Sequence, residues 1–420
     1  MQIRLTPGPL SGTVTAPPSK SLAHRAVLCA ALADGPSRIE HLERSEDVRA
    51  TLAAVQQFGC AVQPIPGGVR LTPGKGFATI VRPVDCSESG STLRFLIPLL
   101  SLTAQKVRFV GHGRLMARPL DVYDQLLPAH GVRFAHSDAG CEVFGALQPG
   151  RYEVPGGVSS QFLSGLLFAL PLLEKPSTLC ILPPLESRSY LELTRAVQAD
   201  YGVHSEWRGA DTLYIPAPQR YAARDYTVEG DYSQAAFAAV LGAVRGGISI
   251  AGLSPDSRQG DAIILPILQR CGAQFAWENG TVRFDAAPLR GTQIDLADCP
   301  DLGPVLMALA ALCTGETVLT HAGRLRLKES DRIAAMQAEL EKCGVYFAAD
   351  ADTVTIRGGL RAPSAAFDGH GDHRIVMSMA VLALAAGVPA CLTGAQAVSK
   401  SWPGFFEAMA ALGAEVESDA

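Results

Sequence analysis

Six apolar stretches of the chain open on residues that packing alone does not call for. They begin "PPSKSLAHR", "SESGSTLR", "GVSSQFLSG", "GDYSQAAF", "CPDLGPVL" and "GHGDHRIV". Ser, Asp and Gly at such starts are ordinary N-cap chemistry, because their oxygens or backbone satisfy the orphan N–H groups of a first turn. Caps do not account for Lys20, Arg25, Arg94 and Arg374. A cation at a helix N-terminus opposes the macrodipole and costs stability unless an anion stands between. Open N–H groups, hydroxyls and an added cation together make a phosphate or carboxylate site. A second set of starts, "ARPLDVY", "SRSYLEL", "KESDRIAAM" and "KSWPGFF", puts Arg118, Arg188, Lys328, Arg332 and Lys400 at positive helix ends. Paired surface charge would explain one such helix; the recurrence favours an anionic ligand.

A repeated unit must position these starts. One marker is a helix ending in Gly followed by a short strand: "FGCAV", "HGVRF", "YGVHS", "CGAQF", "CGVYF" and "LGAEV", with Gly59, Gly131, Gly202, Gly272, Gly344 and Gly413 spaced about 70 residues apart. Each unit reads strand, apolar helix, strand, amphipathic helix, strand, strand. In the first unit the strands are expected at 12–16, 38–42, 60–63 and 69–72 and the helices at 20–33 and 46–58. Gly at each second helix end suits a left-handed C-cap. The sixth unit stops at "AEVESDA" without its last strand, and "IRLTPG" at 3–8 matches "VRLTPG" at 69–74, so the first strand is expected to complete the last unit. This predicts an α/β chain with repeats one to three in a domain at 19–228. Repeats four to six would form a second domain from 1–18 and 229–420, with crossings near 17–19 and 228–230. If the units pack around two pseudo-threefold axes, the positive helix ends converge. An open solenoid is the alternative for such a period, but the closing strand and first helices that are apolar all round suit a centre rather than a face.

Composition narrows the class. The chain has 420 residues, 48% hydrophobic and 18% charged, enough for two cores, or three domains as a softer alternative. A net charge of −5 with no basic run speaks against nucleic acid or an anionic membrane as partner. The ten cysteines form no C-x-x-C pair and sit in apolar runs, as reduced core residues of a cytoplasmic protein would. The start "MQIRLTPGPLSG" carries no signal-peptide apolar region, and runs such as "IVMSMAVLALAAG" are too short to span a bilayer. No exposed apolar stripe is evident, so a monomer is expected.

The motifs "PPSKSLAHRAVL", "SGSTLRFL", "ARPLD", "VSSQFLSGLL", "VEGDYSQAAF", "LKESDRI", "GDHRIVMSMAV" and "KSWPGFF", in order from about residue 13 to 406, resemble the 5-enolpyruvylshikimate-3-phosphate synthase family. The resemblance implies a two-domain inside-out α/β barrel of six βαβαββ repeats, three per domain, with the active site in the interdomain cleft and closure of the domains on substrate. It implies transfer of the enolpyruvyl group of phosphoenolpyruvate to the 5-hydroxyl of shikimate 3-phosphate. The step lies on the shikimate route to aromatic amino acids and uses no metal or organic cofactor. Carried over by motif, the shikimate 3-phosphate set is Lys20, Ser21, Arg25, Ser159, Ser160, Gln161, Ser187, Asp301 and Lys328, with Tyr190 packing on the ring. The phosphoenolpyruvate set is Lys20, Gly90, Arg118, Gln161, Arg332, Arg374 and Lys400, the two arginines holding the carboxylate by parallel hydrogen bonds.

The resemblance gives the catalytic roles to Glu329 (acid at C3, then base), Asp301 (orienting and deprotonating the hydroxyl), Lys20 (leaving phosphate) and His373 (a hydrogen bond to Glu329 or substrate, or a structural role). Read without it, Glu329 is an i,i+3 partner of Arg332 and Asp301 an N-cap of "DLGPVLMALAALC". Glu88 and Arg324 stand where the familiar pattern has Asn. Glu88 therefore has to be paired or turned away, and both positions bear on response to glyphosate, which occupies the phosphoenolpyruvate site in this family. The related UDP-N-acetylglucosamine enolpyruvyl transferases carry a reactive Cys before "ARP"; here the loop is "GHGRLMARPLD" without one. A non-catalytic sugar-phosphate binder would need the cations but not Glu329 and Asp301. A nucleic-acid end-processing enzyme is disfavoured by the charge.

Overall fold

Glycine closes the second helix of every repeat, and all six of these glycines take a left-handed backbone, with φ between 70° and 107°. The reversal sends the chain back as a strand each time. The structure, a computed structural model, describes residues 1–360 and 366–419.

The chain divides into two units. Pro18–Val228 forms one, here the N-unit; Met1–Pro17 with Glu229–Ala420 forms the other, the C-unit. The N-unit holds α1 (Lys20–Leu32), α2 (Glu46–Gln57), α3 (Gly90–Leu100), α4 (Asp121–Ala129), α5 (Ser160–Ala169) and α6 (Arg188–Asp200). The C-unit holds α7 (Tyr232–Arg245), α8 (Ile264–Cys271), α9 (Gly303–Leu312), α10 (Arg332–Lys342), α11 (His373–Ala386) and α12 (Phe405–Ala411). Each unit has its own apolar core. The odd-numbered helices are the apolar ones and lie in the interior: α3 packs on α5, and α11 packs on both α7 and α9. The even-numbered helices bury one face, as their amphipathic sequences require. Among the described residues no helix is long and apolar enough to cross a membrane.

Among the described residues six four-stranded sheets share one spatial pattern, a parallel pair extended by two antiparallel strands. In four of them the parallel pair is the strand before an apolar helix and the strand after it, and in five the antiparallel strands form a hairpin. Val84–Asp85, Val107–Val110, Gly140–Phe144 and Arg133–Ser137 form one such sheet in that order. The last sheet takes Gln2–Thr6 between Ala390–Thr393 and Glu415–Asp419, antiparallel to both.

One expected pairing is wrong. Gly12–Thr15 is not the first strand of the first repeat; it lies parallel to Ile248–Ala251 in the C-unit. The vacant place beside Ser37–Glu40 is taken by Tyr226–Thr227. The chain passes from one unit to the other just after each of these strands, so each strand stays in the unit the chain is leaving. Sequence spacing cannot reveal the exchange, because the two strands occupy equivalent places in their repeats.

Candidate active site

Five of the six apolar helices in the interior start alike. Ser19, Ser89, Asp231 and Asp372 cap α1, α3, α7 and α11 through side-chain oxygens that accept first-turn N–H groups. Ser159 does the same for α5 by accepting from Gln161 N. The exception is α9. It is entered through a 3₁₀ turn, Pro300–Leu302, and Leu302 occupies the cap position without a side-chain bond. Asp301 is therefore not the N-cap that its place before an apolar run suggests. Its carboxylate is turned to three cations: Lys328 Nζ at 3.2 Å, Arg332 Nη1 at 3.3 Å and Arg374 Nη2 at 3.1 Å.

Around Asp301 the C-unit builds an ionic network. Arg332, 1% exposed, opens α10 and donates through Nε to Asp372 Oδ2 at 2.8 Å and through Nη2 to Glu329 Oε2 at 2.8 Å. Arg374 donates to the Asp301 carbonyl at 2.8 Å and to Ser233 Oγ at 3.0 Å. Ser330 Oγ adds a 3.1 Å bond to Asp372. Burial pushes the Asp301 carboxyl up, but Arg374, Lys328 and Arg332 outweigh it and hold the group well below the usual carboxylate range. Burial likewise opposes the charge of Arg332, and Asp372, Glu329 and Asp301 reverse that, so its guanidinium is held more firmly protonated than usual. Both arginines assigned to a substrate carboxylate are thus already engaged by carboxylates of the protein. His373 is buried at the start of α11, with Nδ1 3.7 Å from Asp372 Oδ1, beyond hydrogen-bond length. Lys400 is buried at the end of the 3₁₀ turn Ala395–Lys400, which packs on α11.

The N-unit reaches a different solution. Arg25, buried on α1, donates to Thr194 Oγ1 at 2.8 Å, the Ser21 carbonyl at 2.7 Å and the Tyr190 carbonyl at 3.0 Å. All three acceptors are neutral, and burial lowers its pKa to about 10. Thr194 Oγ1 also meets Ser164 Oγ at 2.8 Å, tying α1, α6 and α5 together. Arg94 donates to Gln161 Oε1 at 2.8 Å, and Gln161 Nε2 donates to Ser91 Oγ at 3.0 Å, which joins α3 to α5. Gly165 permits that approach: a Cβ there would fall 2.3 Å from the Arg94 carbonyl. A Cβ on Gly90 would lie 2.9 Å from Arg94 Nη1, 2.9 Å from Arg118 Nη1 and 3.1 Å from Gln161 Oε1, so the α3 start is open backbone framed by two guanidiniums. His24 Nδ1 meets Thr51 Oγ1 at 2.7 Å, Thr51 meets Thr92 at 2.7 Å, and Thr92 donates to Ser89 at 2.8 Å. Lys20 Nζ is held by Asp47 Oδ2 at 2.9 Å. Ser159 and Ser160 stand at the α5 start, and Ser187 sits at the α6 start with φ 55°.

Arg188 and Arg332 do open their helices. Arg118, Lys328 and Lys400 do not: the first two follow a 3₁₀ turn, Lys400 ends one, and each precedes the helix by a few residues. Pro119 explains the first case, since it drives Arg118 into extended backbone with ψ 145°. Arg188 stacks on Trp207, 4.3 Å from the ring centroid. Glu88 is turned to the loop before Arg118: a Cβ on Gly113 would come 2.7 Å from its carboxylate. Arg324 donates to the Ala297 carbonyl at 2.6 Å. Sequence reading missed Asp47, Thr194, Ser233 and Asp372, whose polar atoms hold the cations in place. The available signal was the quoted motifs themselves, since Ser233 lies in "GDYSQ" and Asp372 in "GDHR".

The family model described as EPSP synthase (3-phosphoshikimate 1-carboxyvinyltransferase) matches residues 5–409. The chain belongs to the EPSP synthase family. A 3-phosphoshikimate 1-carboxyvinyltransferase of Clostridium botulinum (strain Eklund 17B / Type B) is 37% identical over 98% of this chain and 97% of its own length. One of Clostridium beijerinckii is 39% identical over 98% and 97%. Among solved structures, EPSP synthase of Acinetobacter baumannii superposes with a TM-score of 0.80 at 25% identity, covering 99% of this chain and all of that one. The enolpyruvyl transferase NikO of Streptomyces tendae shares the fold, with a TM-score of 0.79 at 18% identity and 99% and 98% coverage.

Proposed function

We propose that the two polar networks divide one enolpyruvyl transfer between them. The chain transfers the enolpyruvyl group of phosphoenolpyruvate to the 5-hydroxyl of shikimate 3-phosphate, giving 5-enolpyruvylshikimate 3-phosphate and phosphate. The neutral-lined network serves the phosphate-bearing acceptor: Arg25, Ser21, Ser159, Ser160, Gln161 and Ser187 hold shikimate 3-phosphate. The observation that carries this is Arg25, a buried cation whose hydrogen bonds among the described residues run to neutral oxygens. Its charge is compensated when a dianion binds. Gly90 and Arg118 face phosphoenolpyruvate, with Lys20 on the leaving phosphate.

The ionic network manages the carboxylate and the protons. Arg332, Arg374 and Lys400 serve the carboxylate of phosphoenolpyruvate, and Lys328 with Asp301 faces the acceptor. C3 of the enolpyruvyl group gains a proton as C2 is attacked by the 5-hydroxyl oxygen. The tetrahedral intermediate then loses phosphate from C2 and a proton from C3. Glu329 gives and reclaims that proton. Asp301, held by three cations, is a weak base as it stands and accepts a hydrogen bond from the hydroxyl. Its basicity rises when the substrate carboxylate takes over part of Arg374 or Arg332. His373 orients this edge.

The test is phosphate release from phosphoenolpyruvate and shikimate 3-phosphate, beside a second reaction containing UDP-N-acetylglucosamine. Release is expected only with the shikimate ester, and kcat of Glu329→Gln is expected to fall by roughly 10²–10⁴. Undiminished turnover in that variant removes Glu329 from the proton path.

A further inference from the structure

The C-unit also buries a carboxylate, on α10, that the reaction does not use. Glu339, on α10, is 1% exposed. It lies seven residues after Arg332, two turns along the same face. A buried carboxylate persists only where donors replace water. Three do so here: Lys342 Nζ at 2.6 Å, His370 Nε2 at 2.8 Å and the Asp368 N–H at 3.1 Å. Lys342 is one turn away on α10, but the other two donors belong to the segment that enters α11.

That segment is tightly determined. His370 has φ 50°, a left-handed backbone that a side-chain-bearing residue keeps only when its surroundings hold it. Its N–H donates to Asp368 Oδ1 at 2.8 Å, and the Asp372 N–H donates to the Gly369 carbonyl at 2.9 Å. Asp372 then receives Arg332 Nε on one side and the Arg374 N–H, at 2.9 Å, on the other. Helix α10 therefore grips the same short segment twice, through Arg332 at Asp372 and through Glu339 at Asp368 and His370.

We infer that Glu339 and His370 are positioning residues for phosphoenolpyruvate. Their contact fixes residues 368–372, and through Asp372 it fixes the directions of Arg332 and Arg374. The inference rests on the reading of those two arginines as the carboxylate clamp. Its effect falls on one substrate, because the residues serving the shikimate ester stand mostly in the N-unit.

The experiment measures KM for each substrate, kcat and thermal midpoint in His370→Gly, His370→Gln, Glu339→Gln and, as control, Arg374→Lys. Glycine takes the left-handed backbone without strain, so His370→Gly removes the side-chain contact without a steric clash, and its added backbone freedom is read in the thermal midpoint. KM for phosphoenolpyruvate is expected to rise about tenfold in His370→Gly and Glu339→Gln, with KM for shikimate 3-phosphate within about twofold of the parent. His370→Gln, which can still donate to Glu339, is expected to recover most of the loss. Equal rises in both KM values, or a lowered thermal midpoint with unchanged KM, would reduce the pair to a structural role and overturn the inference. An unchanged KM for phosphoenolpyruvate in Arg374→Lys would instead overturn the clamp. A rise there with none in His370→Gly would overturn the positioning role alone.

Discussion

Arg25 and Arg332 are both guanidiniums buried beside the first turns of helices, yet the protein treats them in opposite ways. Arg25 rests on a hydroxyl and two carbonyls, and burial loosens its proton. Arg332 is bonded to Asp372, Glu329 and Asp301, which tighten it. A cation with neutral partners keeps its charge available to a ligand. A cation among carboxylates has spent its field inside the protein, and what it offers is control of those carboxylates. On the proposed reading, the partners given to chemically identical side chains leave one unit's cation to the phosphate-bearing acceptor and the other's to the carboxylate and the protons.

Removing each cation should separate the two cases. Arg332→Met leaves Asp372 and Glu329 buried without their main counter-charge, and is expected to cost about 3–5 kcal/mol in urea-unfolding stability. Arg25→Met strands no carboxylate. Its stability should stay within about 1–2 kcal/mol of the parent while KM for shikimate 3-phosphate rises roughly a hundredfold. If the two variants lose equal stability, the contrast fails.

A pH series probes the neutral network directly. Burial lowers the His24 pKa to about 3, against 6.5 for an exposed imidazole. Between those values the unfolded chain binds the extra proton and the folded one does not. Stability should therefore fall as pH drops from about 6.5, by at most about 1.4 kcal/mol per unit from this residue. His24→Asn should flatten urea midpoints measured between pH 7 and pH 5; an unaltered slope would place charge where the comparison requires none. The smallest effect is expected at Gly90→Ala. The new methyl meets the ends of three long side chains, Arg94, Arg118 and Gln161, rather than backbone, so KM for phosphoenolpyruvate should rise roughly tenfold or less with kcat retained.

The repeat was legible because glycines and helix starts are local signals: a left-handed C-cap and an N-terminal hydroxyl each show in a few residues. The placement of Lys20, Arg25, Gly90, Arg332 and Arg374 at or near helix starts was legible for the same reason. The partners were not. Asp47, Asp372 and Ser233 read as routine first-turn residues, and only tertiary packing brings them to cations tens of residues away. Without the family resemblance Asp301 reads as a cap, because the sequence cannot show that three cations compete for its oxygens. The exchanged strands at Gly12–Thr15 and Tyr226–Thr227 were hidden by the symmetry of the repeat itself.

The placement of Gln2–Thr6 has a consequence for biosynthesis. Everything the N-unit needs is contiguous, so it can fold while the ribosome is still adding the rest. Gln2–Thr6 has no such option: its neighbours, Ala390–Thr393 and Glu415–Asp419, are made only after the whole N-unit. Until then the opening segment waits as an unpaired edge, exposed to proteases and to other nascent chains. A change within Gln2–Thr6 would therefore act on the closing of this C-unit sheet, long after those residues were made.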